Sequence, residues 1–108
     1  MTDVLHELAA RIRARRSESA AKSYTRELLD GGPERCARKL GEEAIETVIA
    51  GLGSDRAALT REAADLVYHL LVLLESRNVG LDDVLAELQG RAGSSGLAEK
   101  AARARPKA

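Results

Sequence analysis

The sequence predicts an all-α domain, a bundle of four to five helices. Apolar residues recur at helical spacing along most of the 108-residue chain, and no segment alternates as a half-buried strand does. Alanine, leucine and valine make up nearly all of the apolar content, with two tyrosines and no phenylalanine or tryptophan. Segments containing glycine separate the periodic stretches where helices are expected to end. We therefore expect an aliphatic, helical core.

The first predicted helix spans residues 3–16, where four apolar residues share one face. These residues are Val4, Leu5, Leu8 and Ile12. A polar segment over residues 17–23 follows and leads into a short apolar pair, Leu28 and Leu29. Two consecutive glycines at positions 31 and 32 then break the chain, so the next predicted helix begins at residue 33.

Two long helices are predicted after this break. Proline is favoured in the first turn of a helix, so Pro33 marks the start of a helix that extends to about residue 52. Asp55 is suited to cap the next helix, which is expected over residues 56–77.

A shorter helix is predicted after the second of these, with Asp82 and Asp83 in its first turn. The folded domain is therefore expected to span residues 1–92. The remaining residues, 93–108, are expected to form a basic and partly flexible tail, in which residues 97–104 can make one or two helical turns.

The helix predicted over residues 56–77 indicates how the chain assembles. Its main apolar stripe comprises Leu59, Ala63, Leu66, Val67, Leu70 and Leu74. Val72 and Leu73 lie outside the centre of that stripe, so the second half of the helix is apolar on almost every side. Because four short helices can hardly surround such a helix, a second copy of the chain is expected to complete the bundle as a homodimer.

Composition excludes several classes of protein. The single cysteine, Cys36, excludes a disulfide framework, a zinc ribbon and a paired-cysteine redox site. Residues 70–74 form the longest apolar run, which is far shorter than the roughly 20 residues that a membrane span needs. The first residues lack the basic and apolar regions of a signal peptide. We therefore expect a cytoplasmic protein without a membrane partner.

The formal net charge is zero, but the charges are unevenly distributed. Residues 1–39 carry nine basic and six acidic side chains, residues 40–88 carry three and ten, and residues 89–108 carry five and one. An acidic centre between basic ends suits a site for a metal ion and a polyphosphate. Simple helix-dipole and solubility patterning explains the same distribution. Nucleic acid is not the expected partner, because no aromatic residues accompany the basic ones as stacking platforms.

Five carboxylates are the candidate catalytic residues. The acidic residues of the two long helices recur at i,i+3 and i,i+4 spacing, which places their side chains next to one another. They are Glu42, Glu43 and Glu46 on the first of these helices and Glu62 and Asp65 on the second. Like charges this close repel, and a divalent cation such as Mg²⁺, which prefers oxygen ligands, would reverse that repulsion.

The spacing alone leaves two interpretations open. Glu42, Glu43 and Glu46 lie opposite an apolar face, so they can equally form a solvated surface. Glu62 and Asp65 precede a part of their helix that is apolar on the same side, which favours a covered site that needs a partner or a metal. Outside this group of carboxylates, His69 and Cys36 have simple structural explanations.

His69 is more simply a core or helix-face histidine than a ligand, and Cys36 is interpreted as incidental. Lys39 lies one turn before the acidic residues, so it can relieve their charge or contact a bound phosphate.

Two segments resemble the motif helices of the phosphoribosyl-ATP pyrophosphohydrolases of histidine biosynthesis. The first segment, residues 38–50, reads RKLGEEAIETVIA, and the second, residues 62–74, reads EAADLVYHLLVLL. Shorter matches extend the resemblance over almost the whole chain, at residues 23–25, 81–84, 87–88, 91, 93, 95–97 and 99–101. The paired acidic pattern alone is typical of the wider all-α, MazG-like nucleotide pyrophosphohydrolases, and the surrounding residues indicate this particular family.

The resemblance implies hydrolysis of phosphoribosyl-ATP to phosphoribosyl-AMP and diphosphate on a MazG-like helical bundle. It implies four Mg²⁺ ligands, which are Glu43, Glu46, Glu62 and Asp65. Glu42 is expected to assist by positioning or deprotonating water or by holding a second ion. The expected substrate contacts are Lys39, Tyr24, Arg91 and Lys100, and for Tyr24 packing is the favoured alternative.

Two other functions compete with this one. A housekeeping pyrophosphohydrolase would use the same fold and metal site to remove non-standard or excess nucleoside triphosphates. A non-enzymatic helical dimer would use its acidic face to bind another protein, and substitution of Glu46 by alanine would then leave any response to Mg²⁺ unchanged.

Overall fold

The structure is a computed structural model, which describes residues 3–19, 23–92 and 103. Within those residues it contains five α-helices, one 3₁₀ turn at Arg15–Ser17 and no strand, which confirms the predicted all-α class. The helices are α1 (Val4–Ala14), α2 (Tyr24–Asp30), α3 (Gly32–Leu52), α4 (Arg56–Ser76) and α5 (Leu81–Arg91). No helix in the described part of the chain is both long and apolar enough to cross a bilayer.

Helix α1 begins where the sequence predicted and ends earlier. The Asp3 carboxylate caps its first turn by accepting a hydrogen bond from the backbone N–H of His6 at 2.8 Å. The α-helix stops at Ala14, and the last predicted turn is the tighter 3₁₀ turn. Helix ends commonly tighten in this way.

Helix α2 was not predicted. It has seven residues, and its single apolar pair is too short a pattern to distinguish a helix from a turn. The Ser23 hydroxyl caps it by accepting from the backbone N–H of Arg26 at 3.1 Å, and Leu28 is fully buried beneath it. Two turns of helix therefore form because a cap and a buried side chain stabilise them, and intrinsic periodicity contributes little.

A glycine joint connects α2 directly to α3. Gly31 is both the last cap of α2 and the first cap of α3, so no linker separates the two helices. Gly32 has a φ of +79°, a left-handed conformation that favours glycine, and α3 consequently begins one residue before Pro33. A β-carbon at position 31 would crowd the Arg35 side chain, whose Cβ lies 2.9 Å away, so a larger residue there requires that side chain to shift.

Helices α3 and α4 form the central antiparallel pair of the fold. Residues 53–55 join them, and the Asp55 carboxylate caps α4 by accepting from the backbone N–H groups of Ala57 and Ala58. The hydroxyl of Thr47, in the middle of α3, lies 3.1 Å from the backbone carbonyl oxygen of Glu62 in α4. The two acidic segments are therefore side by side, as the predicted pair of motif helices requires.

The buried core includes two residues of α4 that lie outside the predicted stripe, Leu71 and Val72. Its fully enclosed side chains come from four helices and are Ile12, Leu28, Cys36, Leu71 and Val72. Three members of the stripe, Leu59, Val67 and Leu70, remain 37–39% exposed in the single chain. These three side chains lack full cover in the single chain, and the expectation that a second copy of the chain completes the bundle stays a prediction.

Helix α3 presents its apolar side to solvent in the single chain. Ile45, Val48 and Ile49 are 63–65% exposed, and Leu52 is 86% exposed. Of the three acidic residues of α3, Glu42 and Glu46 are exposed, whereas the side chain of Glu43 is only 15% exposed beside α4. The apolar side of α3 is thus left without cover in the single chain.

The end of α4 is fixed by a residue from the other end of the domain. Asn78 has a φ of +58° and closes the helix, and the Arg16 guanidinium donates to its side-chain oxygen at 3.1 Å. Arg16 also pairs with the Glu75 carboxylate at 2.8 Å and donates to the Glu75 backbone carbonyl. Helix α5 then begins at Leu81, and the backbone N–H of Gly80 before it donates to the Asp83 carboxylate at 3.2 Å. Turns predicted for the tail at residues 97–104 fall outside the described residues, except for Arg103.

Candidate metal centre

Three carboxylates from the two central helices converge on one point. Glu43 of α3 and Glu62 and Asp65 of α4 each offer an oxygen atom, and these atoms all lie within 4.8 Å of one another. The i,i+3 spacing on α4 places two of the carboxylates together, and the crossing with α3 supplies the third. This arrangement can hold a metal ion.

The acidic cluster leaves polar atoms unsatisfied. Glu43 Oε2 and Glu62 Oε2 are buried and have no hydrogen-bond partner among the described residues. A buried oxygen without a partner destabilises a fold unless something absent from the protein chain satisfies it. Hard carboxylate oxygens are the preferred donors for Mg²⁺, so the cluster fits that ion.

Two carboxylates of the cluster, those of Glu43 and Glu62, resist ionisation. Burial raises the pKa of Glu43, and the neighbouring Glu46 raises it further. The pKa of Glu62 is raised first by a hydrogen bond with Glu46, which a protonated carboxyl can make, and then by burial. Both effects disfavour negative charge in this space, and a bound cation would favour it. Glu46 is therefore electrostatically coupled to the cluster, although its own side chain is exposed.

His69 lies buried behind the cluster, as expected of a core histidine. Its ring packs edge-on against Tyr68 and Tyr24, with centroid distances of 4.9 Å and 6.2 Å. Its Nε2 is 3.9 Å from Glu43 Oε1, which is too long for a hydrogen bond, and its Nδ1 has no partner among the described residues. Burial lowers the pKa of His69, and the charge of Lys39 lowers it further. The ring is therefore neutral at physiological pH.

Two of the four residues predicted to contact the substrate, Lys39 and Tyr24, lie near the acidic residues or His69. Lys39 pairs with Glu42 at 3.0 Å, and that bond is the main cause of the raised pKa of Lys39. Tyr24 is half-exposed and borders the His69 ring. Glu42 is thus paired with the lysine, and it directly precedes Glu43 in α3.

The other two predicted substrate residues are not placed at the cluster. Arg91 lies in the last turn of α5, where it pairs with Glu87 at 3.0 Å. Lys100 falls outside the described residues.

Cys36 is buried, its thiol donates to the Leu28 carbonyl at 3.3 Å, and burial raises the pKa of the thiol. This agrees with the interpretation of Cys36 as a packing residue.

Two hydroxyl residues near the cluster were missed by the sequence analysis. Thr47 bonds to the backbone of the acidic segments, and Thr25 lies 2.5 Å from the Tyr68 hydroxyl. Thr47 directly follows Glu46, but a threonine in a helix has no sequence pattern that reveals a contact with a second helix.

Comparison with known sequences identifies the family. A profile of the phosphoribosyl-ATP pyrophosphohydrolases matches residues 5–92, which include all three converging carboxylates. The chain belongs to the phosphoribosyl-ATP pyrophosphohydrolase family. The resemblance carried by the two motif segments is therefore confirmed, and so is the prediction of an enzyme of the hydrolase class.

Curated relatives of this family match almost end to end. A phosphoribosyl-ATP pyrophosphatase of Ruegeria pomeroyi is 57% identical over 100 residues, which cover 93% of this chain and 95% of the relative. Proteins of the same name from Rhodobacter capsulatus and Nitrobacter winogradskyi are each 56% identical, over 92% and 94% of this chain and over 96% and 87% of their own lengths. These three relatives are therefore similar to this chain over most of their length and of its own.

Proposed function

We propose that this protein hydrolyses phosphoribosyl-ATP to phosphoribosyl-AMP and diphosphate in a reaction that depends on Mg²⁺. This reaction is the second step of L-histidine biosynthesis. The proposed location of the protein is the cytoplasm. The observation that carries the proposal is the convergence of Glu43, Glu62 and Asp65, with two buried oxygens unsatisfied, in a member of this family.

The proposed Mg²⁺ ligands are Glu43, Glu46, Glu62 and Asp65. Mg²⁺ held there would supply positive charge that offsets the triphosphate, and it would orient the attacking water. The burial of Glu43 keeps water away from one side of the cluster, which strengthens the electrostatic interactions within it. Phosphoryl chemistry of this kind depends on positioning and charge, so no covalent nucleophile is required from the chain.

The residues around the cluster have separate roles in the proposal. Glu42 positions or deprotonates water, or holds a second ion, and its bond to Lys39 rearranges when the phosphates bind. Lys39, Arg91 and Lys100 contact phosphate groups. Tyr24 lines the site from the half-exposed side and packs against His69.

We also propose that two copies of the chain form a homodimer through the apolar sides of α3 and α4. The most exposed apolar side chains of the described residues on these helices are Ile45, Val48, Ile49, Leu52, Leu59, Val67 and Leu70. A continuous apolar surface on a small soluble domain is typical of an interface. Because α4 carries both the acidic cluster and this surface, dimerisation would also hold the helix that presents Glu62 and Asp65.

The decisive experiment measures diphosphate release from phosphoribosyl-ATP beside ATP and a panel of deoxynucleoside triphosphates, with Mg²⁺ and with EDTA. Rapid release from phosphoribosyl-ATP alone, abolished by EDTA, is the expected result. Release mainly from the deoxynucleotides would instead assign the protein to the housekeeping pyrophosphohydrolases. No release from any substrate would refute the enzymatic proposal.

A further inference from the structure

Thr47 connects the backbones of two residues of the acidic cluster. Its hydroxyl lies 2.7 Å from the carbonyl oxygen of Glu43, one turn earlier in α3, and 3.1 Å from the carbonyl oxygen of Glu62 in α4. Both distances are those of hydrogen bonds, and the hydroxyl is the donor in both. Its single proton is thus shared between two carbonyl groups on different helices.

The position of this bond gives it a function beyond packing. Glu43 and Glu62 are the cluster residues whose side-chain oxygens are buried without partners. When ionised, their carboxylates repel each other, which favours a wider separation of α3 and α4. A hydroxyl bonded to both backbones opposes that separation at the level of the two carboxylates themselves.

We infer that Thr47 is a positioning residue, which holds α3 and α4 at the separation that the Mg²⁺ site requires. The inference rests on the proposed metal site and assigns to it a residue that does not contact the ion. Groups that orient metal ligands commonly change the affinity for the metal by 10-fold to 100-fold when they are removed.

The chain contains a matched control for this bond. The Thr60 hydroxyl, in α4, donates to the Arg56 carbonyl one turn earlier at 2.8 Å, and Thr60 is exposed. Thr60→Val therefore removes the same local bond within a helix. Thr47→Val removes that local bond and the bond between the helices as well. Valine has nearly the shape and the helix propensity of threonine, so both exchanges leave packing almost unchanged.

The experiment titrates the metal-free protein with MgCl₂ at constant ionic strength and follows the melting temperature, without substrate. We expect Thr47→Val to weaken Mg²⁺ binding by about 10-fold or more. Thr60→Val and Thr47→Ser, which keeps the hydroxyl, should stay within about twofold of wild type. In the hydrolysis assay, Thr47→Val should raise the Mg²⁺ concentration needed for half-maximal rate and leave kcat at saturating Mg²⁺ nearly unchanged.

The other outcomes contradict the inference in distinguishable ways. If Thr47→Val lowers the melting temperature without Mg²⁺ and binds the ion like wild type, Thr47 is merely structural. Equal losses of Mg²⁺ affinity in Thr47→Val and Thr60→Val would assign the effect to the hydrogen bond within each helix. If wild type itself does not bind Mg²⁺, the proposed metal site fails and the inference fails with it. Should Thr47→Val not fold, Thr47→Ala removes the same hydroxyl in a better helix former and must show the same loss.

Discussion

The His6 ring of α1 lies 2.7 Å from the Asp82 carboxylate in the first turn of α5, 76 residues later in the chain. The other ring nitrogen lies 2.9 Å from the carboxylate of Asp3, the cap of α1. One imidazole therefore joins the starts of the first and last described helices. Its bond with Asp82, followed by that with Asp3, raises the pKa of His6. Arg13 and Glu75 are the other charged residues around the adjacent cavity of about 260 Å³.

This contact predicts a pH dependence of stability. An imidazole in the unfolded chain has a pKa of about 6.5, and the folded value lies above it. The stabilisation is therefore complete below about pH 6.5 and is lost as the pH rises through the folded pKa. We expect the melting temperature of wild type to fall from about pH 6 to about pH 8.5 relative to that of His6→Gln.

The comparison with His6→Gln isolates this contact. His69, with its lowered pKa, titrates in both proteins and cancels from the difference. The lowered pKa of Asp3 affects stability only below about pH 4, outside the range measured. Asp82→Asn should remove most of the difference. Parallel pH profiles for wild type and His6→Gln would show that the contact does not stabilise the fold.

A second prediction concerns metal binding. Mg²⁺ should raise the melting temperature, because it binds the folded cluster and relieves the repulsion between Glu43, Glu62 and Asp65. At a free concentration ten times the Kd, linkage stabilises the folded state by about 1.4 kcal/mol, which is several degrees for a domain of this size. Differential scanning fluorimetry with Mg²⁺, and with KCl at equal ionic strength, measures the effect. An equal rise in both salts would mean screening rather than binding.

A third prediction tests one ligand. Asp65→Asn should reduce turnover of phosphoribosyl-ATP by about 100-fold or more, since a bound metal contributes several kcal/mol to transition-state stabilisation. The fold should remain intact, because Asp65 is exposed and the exchange removes a repulsive charge. Circular dichroism checks the fold, and Glu7→Gln, an exposed change on α1, should keep full activity. Near-normal activity of Asp65→Asn would contradict its assigned role.

A fourth prediction concerns assembly. Light scattering of the wild-type chain should give twice the monomer mass of 11.6 kDa. Ile49→Lys places a charge in the exposed apolar surface of α3 and should give the monomer, whereas Ala86→Lys on the exposed side of α5 should remain dimeric. A dimer that persists in Ile49→Lys would move the interface to another surface.

The sequence predicted the helices that carry their own signals. Helices α3 and α4 were found because each is long and periodic and has a start signal, Pro33 for one and Asp55 for the other. Helix α2 was missed, since its seven residues depend on Ser23 and on the burial of Leu28. The Ser23 cap is local, but the burial of Leu28 depends on side chains that are distant in sequence, such as Ile12 and Val72, and no local pattern contains them.

The sequence also predicted the acidic cluster better than the direction in which its helices face. The spacing of Glu62 and Asp65 was sufficient to place them together, the resemblance implied Glu43 beside them, and the three carboxylates lie within 4.8 Å of one another. The sequence pattern of α3 shows that the helix has an apolar side and an acidic side. The pattern does not show which of the two sides a neighbouring helix covers. In the single chain, α4 covers Glu43 and leaves Ile49 exposed. A carboxylate that is buried against a helix needs a group that stabilises it, such as a metal. The sequence pattern of α3 does not contain that group.

The two rings that enclose His69 have an optical consequence. Tyr24 and Tyr68 are the two tyrosines of the chain, which contains no tryptophan and no phenylalanine. Both rings contact the imidazole that lies against Glu43, so all of the ultraviolet fluorescence originates beside the acidic cluster. Emission from these phenols reports on events at the cluster in the unmodified protein, and no label has to be attached.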